Sequence, residues 1–499
     1  MKTSCLLVGF DGLRPDLVGP ELTPNLCRLK AEGLTFANHV SVYPSETRVV
    51  FASLVTGATA DRHGIIGNRY VDRSIQPPRY VDTADAALLE QIDLTSGGRL
   101  MTATSLGEAL KTAGRSLAVL ASNSRGATRC LNHKARSLGQ ICLSGHFDDM
   151  ATPKDVVADI LKSVGPLPPA VEPGTPDLEA QTLLTTAFLD HVWPRHRPDV
   201  TLLWYSEPDL SSHFSGIGAP ETRRAVAHTD AEFGRILDWW LVEGRGSGVQ
   251  LFAASDHGHI TAHKRVSVAD AMRSAGFKTS SAPGSDIDAV IVPGHVGAIY
   301  LTSPTEGNLA KAAAALMDTE WCGPIFTRGR NDVDGVVPGT LAQGLVMAEH
   351  GRSPDLYFCF RSDDRVDHYG LTGGTYFDND RRSGLGLHGG LHPKELASLA
   401  VAAGSHFKGG AKSDLPSGVP DIAPTMLHLL GTPSPTTITG RVLTEALETT
   451  HDSQIAQTKV EQFQAESAGF VQTLERTRYG GATYLRGAWR GADSSASQD

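Results

Sequence analysis

Three aspartates, three histidines and one threonine stand in short fragments scattered along the chain: Phe10-Asp11-Gly12, Tyr43-Pro44-Ser45-Glu46-Thr47, Glu207-Pro208-Asp209 with His213, Ser255-Asp256-His257-Gly258 and Leu387-His388-Gly389-Gly390. Imidazole nitrogen and carboxylate oxygen are donors that divalent zinc takes readily, and a catalytic site leaves positions open for substrate and water. Two such ions about 4 Å apart can activate an attacking oxygen and neutralise the leaving oxygen of a phosphoryl group. A threonine hydroxyl is a weak nucleophile until a metal or a base lowers its pKa. Singly, each fragment also has an ordinary reading. An Asp-His pair after a strand caps a turn, His388 beside glycines is a loop residue, and Thr47 suits a helix N-cap. Their order and number argue for one shared site.

The elements that must position these side chains alternate in type. Residues 4–9 read as a buried strand that presents Asp11 at its carboxyl end. Residues 24–32 read as a helix with Thr23 as N-cap, Pro24 in the first turn and Gly33 as the stop. A second helix spans 47–57, and 105–113 looks helical before a strand at 116–121. The runs 200–204 and 249–254 read as strands, and 222–242 between them as a long amphipathic helix. Such alternation predicts an α/β fold, with a mostly parallel central sheet and helices on both faces. Ligands of such sheets collect beyond the carboxyl ends of the strands, where Asp11, Asp209 and Asp256 stand. Residues 1–265 and 385–450 are expected to form this core. Residues 266–384 are expected to be an inserted α+β subdomain, with strands at 289–292, 298–301 and 356–360 and a helix at 308–317. Within it, 361–368 with its three aspartates reads as a solvated loop. Residues 407–419 read as loop and 420–431 as a closing helix. A polar helix over 451–478, a Gly-rich end and a disordered Ser-rich tail to 499 complete the expectation.

Bulk properties narrow the classes. The 499 residues are 40% hydrophobic and 20% charged, an ordinary globular composition. A net charge of -10 argues against gripping a nucleic-acid polymer, but not against a small phosphorylated molecule held by metals. No window reaches the roughly 18 apolar residues of a membrane span, and the short apolar start is no secretory signal, so no membrane association and a cytoplasmic location are expected. The six cysteines form no CxxC pair, so they read as free thiols and not as a zinc site. Assembly into a homo-oligomer is compatible with the sequence.

Further segments extend the pattern. Tyr43-Pro44-Ser45-Glu46-Thr47, then Ala52-Ser53-Leu54-Val55-Thr56-Gly57, then His63-Gly64-Ile65 with Asn68 follow in unbroken register. Asp421-Ile422-Ala423-Pro424-Thr425 and Leu429-Leu430-Gly431 lie near the end. Over most of residues 4–445, apart from the insert, this order resembles the nucleotide pyrophosphatase/phosphodiesterase (type I phosphodiesterase) family of the alkaline phosphatase superfamily. The resemblance implies a hydrolase of small phosphodiesters or phosphoesters with two divalent metal ions, zinc or alternatively manganese. One ion would be held by Asp209, His213 and His388. The other would be held by Asp11, Asp256 and His257, with the Thr47 oxygen as a further ligand. Thr47 would attack phosphorus in line, and the resulting phosphothreonine would be hydrolysed, with net retention. Asn68 would donate to a phosphate oxygen, as an oxyanion-type site requires.

The pattern departs from that family where the nucleophile is usually followed by Phe-Pro-Asn-His, whose ring helps to stack a base. Here Arg48-Val49-Val50-Phe51 follows, so Arg48 is expected either to read a second anion on the substrate or to pair with Glu46 or solvent. That residue makes a phosphonate hydrolase resembling phosphonoacetate hydrolase the alternative, and a catalytically silent metal-binding relative is the reading from another class. The C/S-x-P-x-R motif of a sulfatase is absent, and the Ser-x-Thr register favours Thr47 over Ser45, against a phosphoglycerate mutase. Trp204 and Tyr205 border the Asp209 loop and line the pocket or pack in the core. His259, His263 and His392 read as supporting or loop residues, with His392 the substitute for His388. Cys130 beside His133 and Lys134 is a weak redox candidate.

Overall fold

The chain is described by a computed structural model covering residues 2–292, 294, 296–449 and 457–491. The strand Ser4–Phe10 is apolar along nearly its whole length, and all seven residues are buried. A strand covered on both faces needs that composition. Its neighbours confirm the placement: it pairs in parallel with Val200–Tyr205 on one side and Val249–Ala254 on the other. The eight-stranded sheet runs Ala411–Gly418, Leu34–Val40, Ala400–Ala403, Val249–Ala254, Ser4–Phe10, Val200–Tyr205, Leu117–Ala121, Ile141–Ser144. Ala400–Ala403 alone runs antiparallel to both its neighbours. Each face carries its own core. Along Leu117–Ala121, Leu117, Val119 and Ala121 join one cluster, while Ala118 and Leu120 join the other.

The helix Pro24–Glu32 begins after Thr23 as the sequence suggests, but the Thr23 hydroxyl turns back to the Gly19 carbonyl. The Asp230 carboxylate caps the helix instead, accepting from Asn25 N at 2.9 Å and Leu26 N at 2.8 Å. Asp230 belongs to the long helix Pro220–Trp239, so one contact caps the first helix and docks the second.

A second, six-stranded sheet holds Ala289–Val292, Gly297–Leu301 and Leu356–Phe360, with the helix Glu306–Met317 in the same chain stretch. Residues 361–368 are not a loop: Ser362–Val366 is the solvated edge strand of a third sheet, paired with Thr372–Phe377. In that sheet Ile260–Arg265 pairs with Gly386–Leu387, so the chain leaves and re-enters at adjacent strands. The expected loop at 407–419 contains the strand Ala411–Gly418, drawn into the main sheet by parallel pairing with Leu34–Val40.

The C-terminal helix expected over 451–478 is also absent from the residues described. Lys459–Ser467, Phe470–Tyr479 and Ala482–Arg490 form an antiparallel three-stranded sheet. Its two tight turns place Ala468 and Gly469, and Gly480 and Gly481, at positive φ. Such paired left-handed residues suit the twist of two-residue hairpins and cannot continue a helix. The Gln472 amide pairs like a strand with Ile325, through its O with N–H at 2.6 Å and through its N–H with O at 3.1 Å. The Ser-rich tail lies outside the described residues.

Candidate active site

Asp11, Asp209 and Asp256 sit just past the ends of the three central strands, and folding brings the remaining fragments to them. Asp209 opens the helix Asp209–Ser215, so His213 lies one turn on along the same face. Four imidazoles converge here: His213, His257, His259 and His388. Each donates Nδ1–H to a backbone carbonyl, of Gly386 (2.8 Å), Gly258 (3.0 Å), Gly12 (3.1 Å) and Ser45 (2.7 Å) respectively. A carbonyl only accepts, so each ring carries its proton on Nδ1 and turns the Nε2 lone pair inward.

Those lone pairs meet carboxylate oxygens. His213, His259 and His388 Nε2 stand 3.3, 3.1 and 3.3 Å from Asp209 Oδ1, and His213 Nε2 stands 3.1 Å from that of His388. Donors placed tetrahedrally around a zinc at about 2.0 Å are about 3.3 Å apart. Beside this group, His257 Nε2 lies 3.5 Å from Asp11 Oδ1, 3.2 Å from Asp256 Oδ2 and 3.3 Å from Thr47 Oγ1. Asp11 Oδ1, Asp209 Oδ1, Asp256 Oδ2 and His259 Nε2 are buried without a hydrogen-bond partner. Lone pairs facing one another in a dry interior are costly unless a cation sits among them. The donor set therefore fits divalent metal ions in two groups that share His257: Asp209, His257, His259 and His388, and Asp11, Asp256 and His257.

Burial lowers the His388 imidazole but the Asp209 carboxylate raises it above its ordinary value, and against its own burial the facing histidines hold Asp209 well below the usual carboxylate range. Burial, then the negative charges of Asp256 and Asp209, push the Asp11 carboxyl well above its usual range. Burial and the Asp209 charge likewise push Asp256 up to about 7. Burial holds His257 well below its ordinary value, as a neutral ligand requires.

Thr47 is the first residue of the helix Thr47–Thr56, with Glu46 in the N-cap position that the sequence reading gave to Thr47. Gly57, at φ 61°, ends the helix. The Asn68 side-chain Oδ1 accepts from Arg48 N at 3.2 Å, and the Asn68 backbone N–H donates to Glu46 Oε2. That pairing leaves the Asn68 amide donors for the adjoining cavity of about 750 Å³, lined by Thr47, Arg48, Asn68, Asp11, Asp209, His213 and His388 among others.

Tyr205 does not reach this cavity. It is buried in the opposite core beside Phe10, with its hydroxyl 2.7 Å from Thr185 Oγ1, because strand alternation turns it away from the site. Trp204 faces the other way and packs on Phe51 at 4.8 Å. His392 is no substitute for His388, since its ring caps Lys394 N and meets Asp364 at 3.2 Å. His263 packs against Tyr376 at 4.5 Å. Cys130 is fully buried, and burial pushes its thiol up to about 12, which leaves no reactive thiolate.

Three residues gain significance only in the structure. His259 joins Asp209, His257 and His388 in one donor group. Only Gly12, at φ 69°, fits beside it, because a Cβ there would stand 2.3 Å from the His259 ring. Asn123 Nδ2 donates to Asp11 Oδ2 at 2.6 Å and fixes the carboxylate's direction. Asn123 follows the strand Leu117–Ala121, so the strand-end rule applied to the other acids would have found it. Arg381 reaches the cavity from the far stretch of the chain, and nothing in its local sequence signals that.

Comparison with known proteins fits this geometry. Murine ectonucleotide pyrophosphatase/phosphodiesterase 5, as an inactive variant in complex with AMP, superposes with a TM-score of 0.60 at 15% identity, covering 90% of this chain and 100% of that one. The same murine protein in a second structure gives 0.60 at 16%, and its human counterpart 0.59 at 16%, each over 89% of this chain and 100% of the other. These likenesses show a shared fold. No functionally curated protein matches the chain. Residues 5–363 match the family of type I phosphodiesterases / nucleotide pyrophosphatases, and the chain belongs to that family of phosphodiester hydrolases.

Proposed function

We propose that this protein hydrolyses a small phosphodiester or phosphoester in two displacements, with Thr47 as nucleophile and two divalent cations as cofactors, zinc or alternatively manganese. Asp209, His213 and His388 would hold one cation, and Asp11, Asp256, His257 and Thr47 Oγ1 the other. When bound, the cations would supply Lewis acidity at the phosphoryl oxygens and lower the pKa of the attacking hydroxyl or water.

The chain's own groups do the rest. Thr47 is presented at a helix N-terminus, where exposed N–H groups and the dipole favour phosphate. Its oxygen attacks phosphorus in line, forming the P–Oγ1 bond as the P–O bond to the leaving alcohol breaks. Asn68 donates to a phosphoryl oxygen through attack and release. Water then cleaves the phosphothreonine, and the two inversions give net retention at phosphorus. The stretch 266–384 acts as an inserted cap over the pocket.

The observation that carries this reading is the convergence of unpartnered carboxylate oxygens and inward-facing imidazole nitrogens beside the Thr47 hydroxyl, 3.3 Å from His257 Nε2. Hydrolysis of bis(p-nitrophenyl) phosphate should stop on adding chelator and return with zinc. Lack of chelator-sensitive turnover on any phosphate diester, monoester or phosphonate would leave a silent metal-binding relative. Phosphonate cleavage stays as the second reading because Arg48 has no carboxylate partner in the cavity beside Thr47.

A further inference from the structure

Three arginines line the cavity beside Thr47: Arg48, Arg69 and Arg381. Arg69 is matched, with Nε 3.0 Å from Asp82 Oδ2. The other two differ. Arg48 Nε donates to Thr83 Oγ1 at 2.7 Å, and that hydroxyl is fixed in turn by the Asn68 carbonyl at 2.7 Å. The acids near Arg48 are engaged elsewhere: Asp82 with Arg69, and Glu46 with the Asn68 backbone N–H. Arg381 Nη1 donates to the His213 carbonyl at 2.6 Å, and its guanidinium lies over the Phe214 ring at 5.0 Å. The acids near it are engaged elsewhere: Asp380 with Arg265 at 3.2 Å, and Asp209, whose charge reaches Arg381, with the facing histidines. Among the described residues, no carboxylate comes within ion-pairing distance of either guanidinium.

Both side chains are half-buried, yet hydroxyl, carbonyl and ring partners alone hold them in place. A partly buried cation without a counter-ion is costly, and burial pulls both guanidiniums downward. Such anchoring fixes a fork-shaped donor in position and leaves its charge for an incoming anion. Of the two phenylalanines that line the cavity, Phe147 carries Arg125 over its ring at 3.9 Å and Phe214 carries Arg381 at 5.0 Å.

We propose that Arg48 and Arg381 form a second-anion subsite, so that the preferred substrate carries a carboxylate or a further phosphate besides the phosphoryl group attacked by Thr47. Arg48 approaches from the nucleophile's own helix and Arg381 from the His213 side of the same cavity, so the pair favours doubly anionic molecules. This inference rests on the hydrolase reading above and names its substrate class.

The test uses the full chain loaded with zinc and three p-nitrophenyl phosphodiesters, whose second alcohol is p-nitrophenol, glycolate or a phosphorylated glycol. The quantity read is the ratio of kcat/KM for each anionic diester to that for bis(p-nitrophenyl) phosphate. A ratio of about 10 or more is expected, falling about tenfold in Arg48→Gln and in Arg381→Gln, with partial rescue in Arg48→Lys. Whichever anionic diester gives the larger ratio identifies the source as carboxylate or phosphate. A wild-type ratio near one, or a ratio unchanged in both glutamine variants, overturns the subsite while leaving the hydrolase reading intact. No turnover of any of the three overturns both. Because each variant is compared with itself on two substrates, a general loss of folded protein cancels from the ratio.

Discussion

At the buried end of the pocket, four histidines send their Nδ1 protons to carbonyls and turn their Nε2 atoms toward buried carboxylate oxygens. On its half-buried side, Arg48 and Arg381 are anchored by a hydroxyl and a carbonyl and keep their charge unmatched. The first region is an array of acceptors waiting for cations, and the second an array of donors waiting for an anion. In both, the backbone and neutral side chains do the positioning, and the charged partner is missing from the chain itself. A group whose partners are all internal is structural; a group held rigidly by neutral neighbours with its charge unmet is prepared for a ligand. Arg69, matched by Asp82 in the same cavity, is the internal control for that distinction.

The largest expected effect lies at the buried end. Thr47→Ala should lower kcat/KM for bis(p-nitrophenyl) phosphate by about 10⁴-fold or more while zinc content holds near wild type, since two carboxylates and an imidazole remain. A loss below tenfold would move the nucleophile elsewhere. Metal removal comes next. The chelated protein should melt at a lower temperature, because ligand at about 1,000 times its Kd adds about 4 kcal/mol to stability. A melting temperature indifferent to zinc would mean that the converging atoms hold no ion.

His259→Ala should weaken zinc affinity by about 10–100-fold, read by competition with a chromogenic chelator. Unchanged affinity would reduce His259 to packing against Gly12. The smallest effect belongs to Arg69→Gln. The ratio of anionic to neutral diester turnover should move by less than about threefold, because this exposed arginine already has its acid. A shift as large as that of Arg48→Gln would erase the difference between matched and unmatched arginines.

Much of the site was legible because its chemistry sits at strand ends, which apolar runs mark clearly. Asp11, Asp209 and Asp256 each follow a buried strand by a few residues, and the helix after Thr47 declares itself through Gly57. The readings that failed lacked such markers. Tyr205 stands four residues before Asp209, but side chains alternate along Val200–Tyr205, and a pocket neighbour in sequence became a core residue in space. Residues 459–478 are rich in helix-forming Glu, Gln and Arg, yet the turn pair Ala468-Gly469 inside them decides for a hairpin. Ala411–Gly418 reads as loop by composition and is a strand because Leu34–Val40 offers it an edge.

Residue types and local periodicity determined the individual buried strands, the helix carrying Thr47 and the acids and imidazoles that stand just past strand ends, since each is written in near neighbours along the chain. Only tertiary structure decided which nitrogen of each histidine faces inward, that His259 and Asn123 join the group, and that Arg381, more than 300 residues beyond Arg48, lines the same cavity. Those outcomes depend on which carbonyls and carboxylates the fold places nearby, and local sequence carries no record of partners that distant.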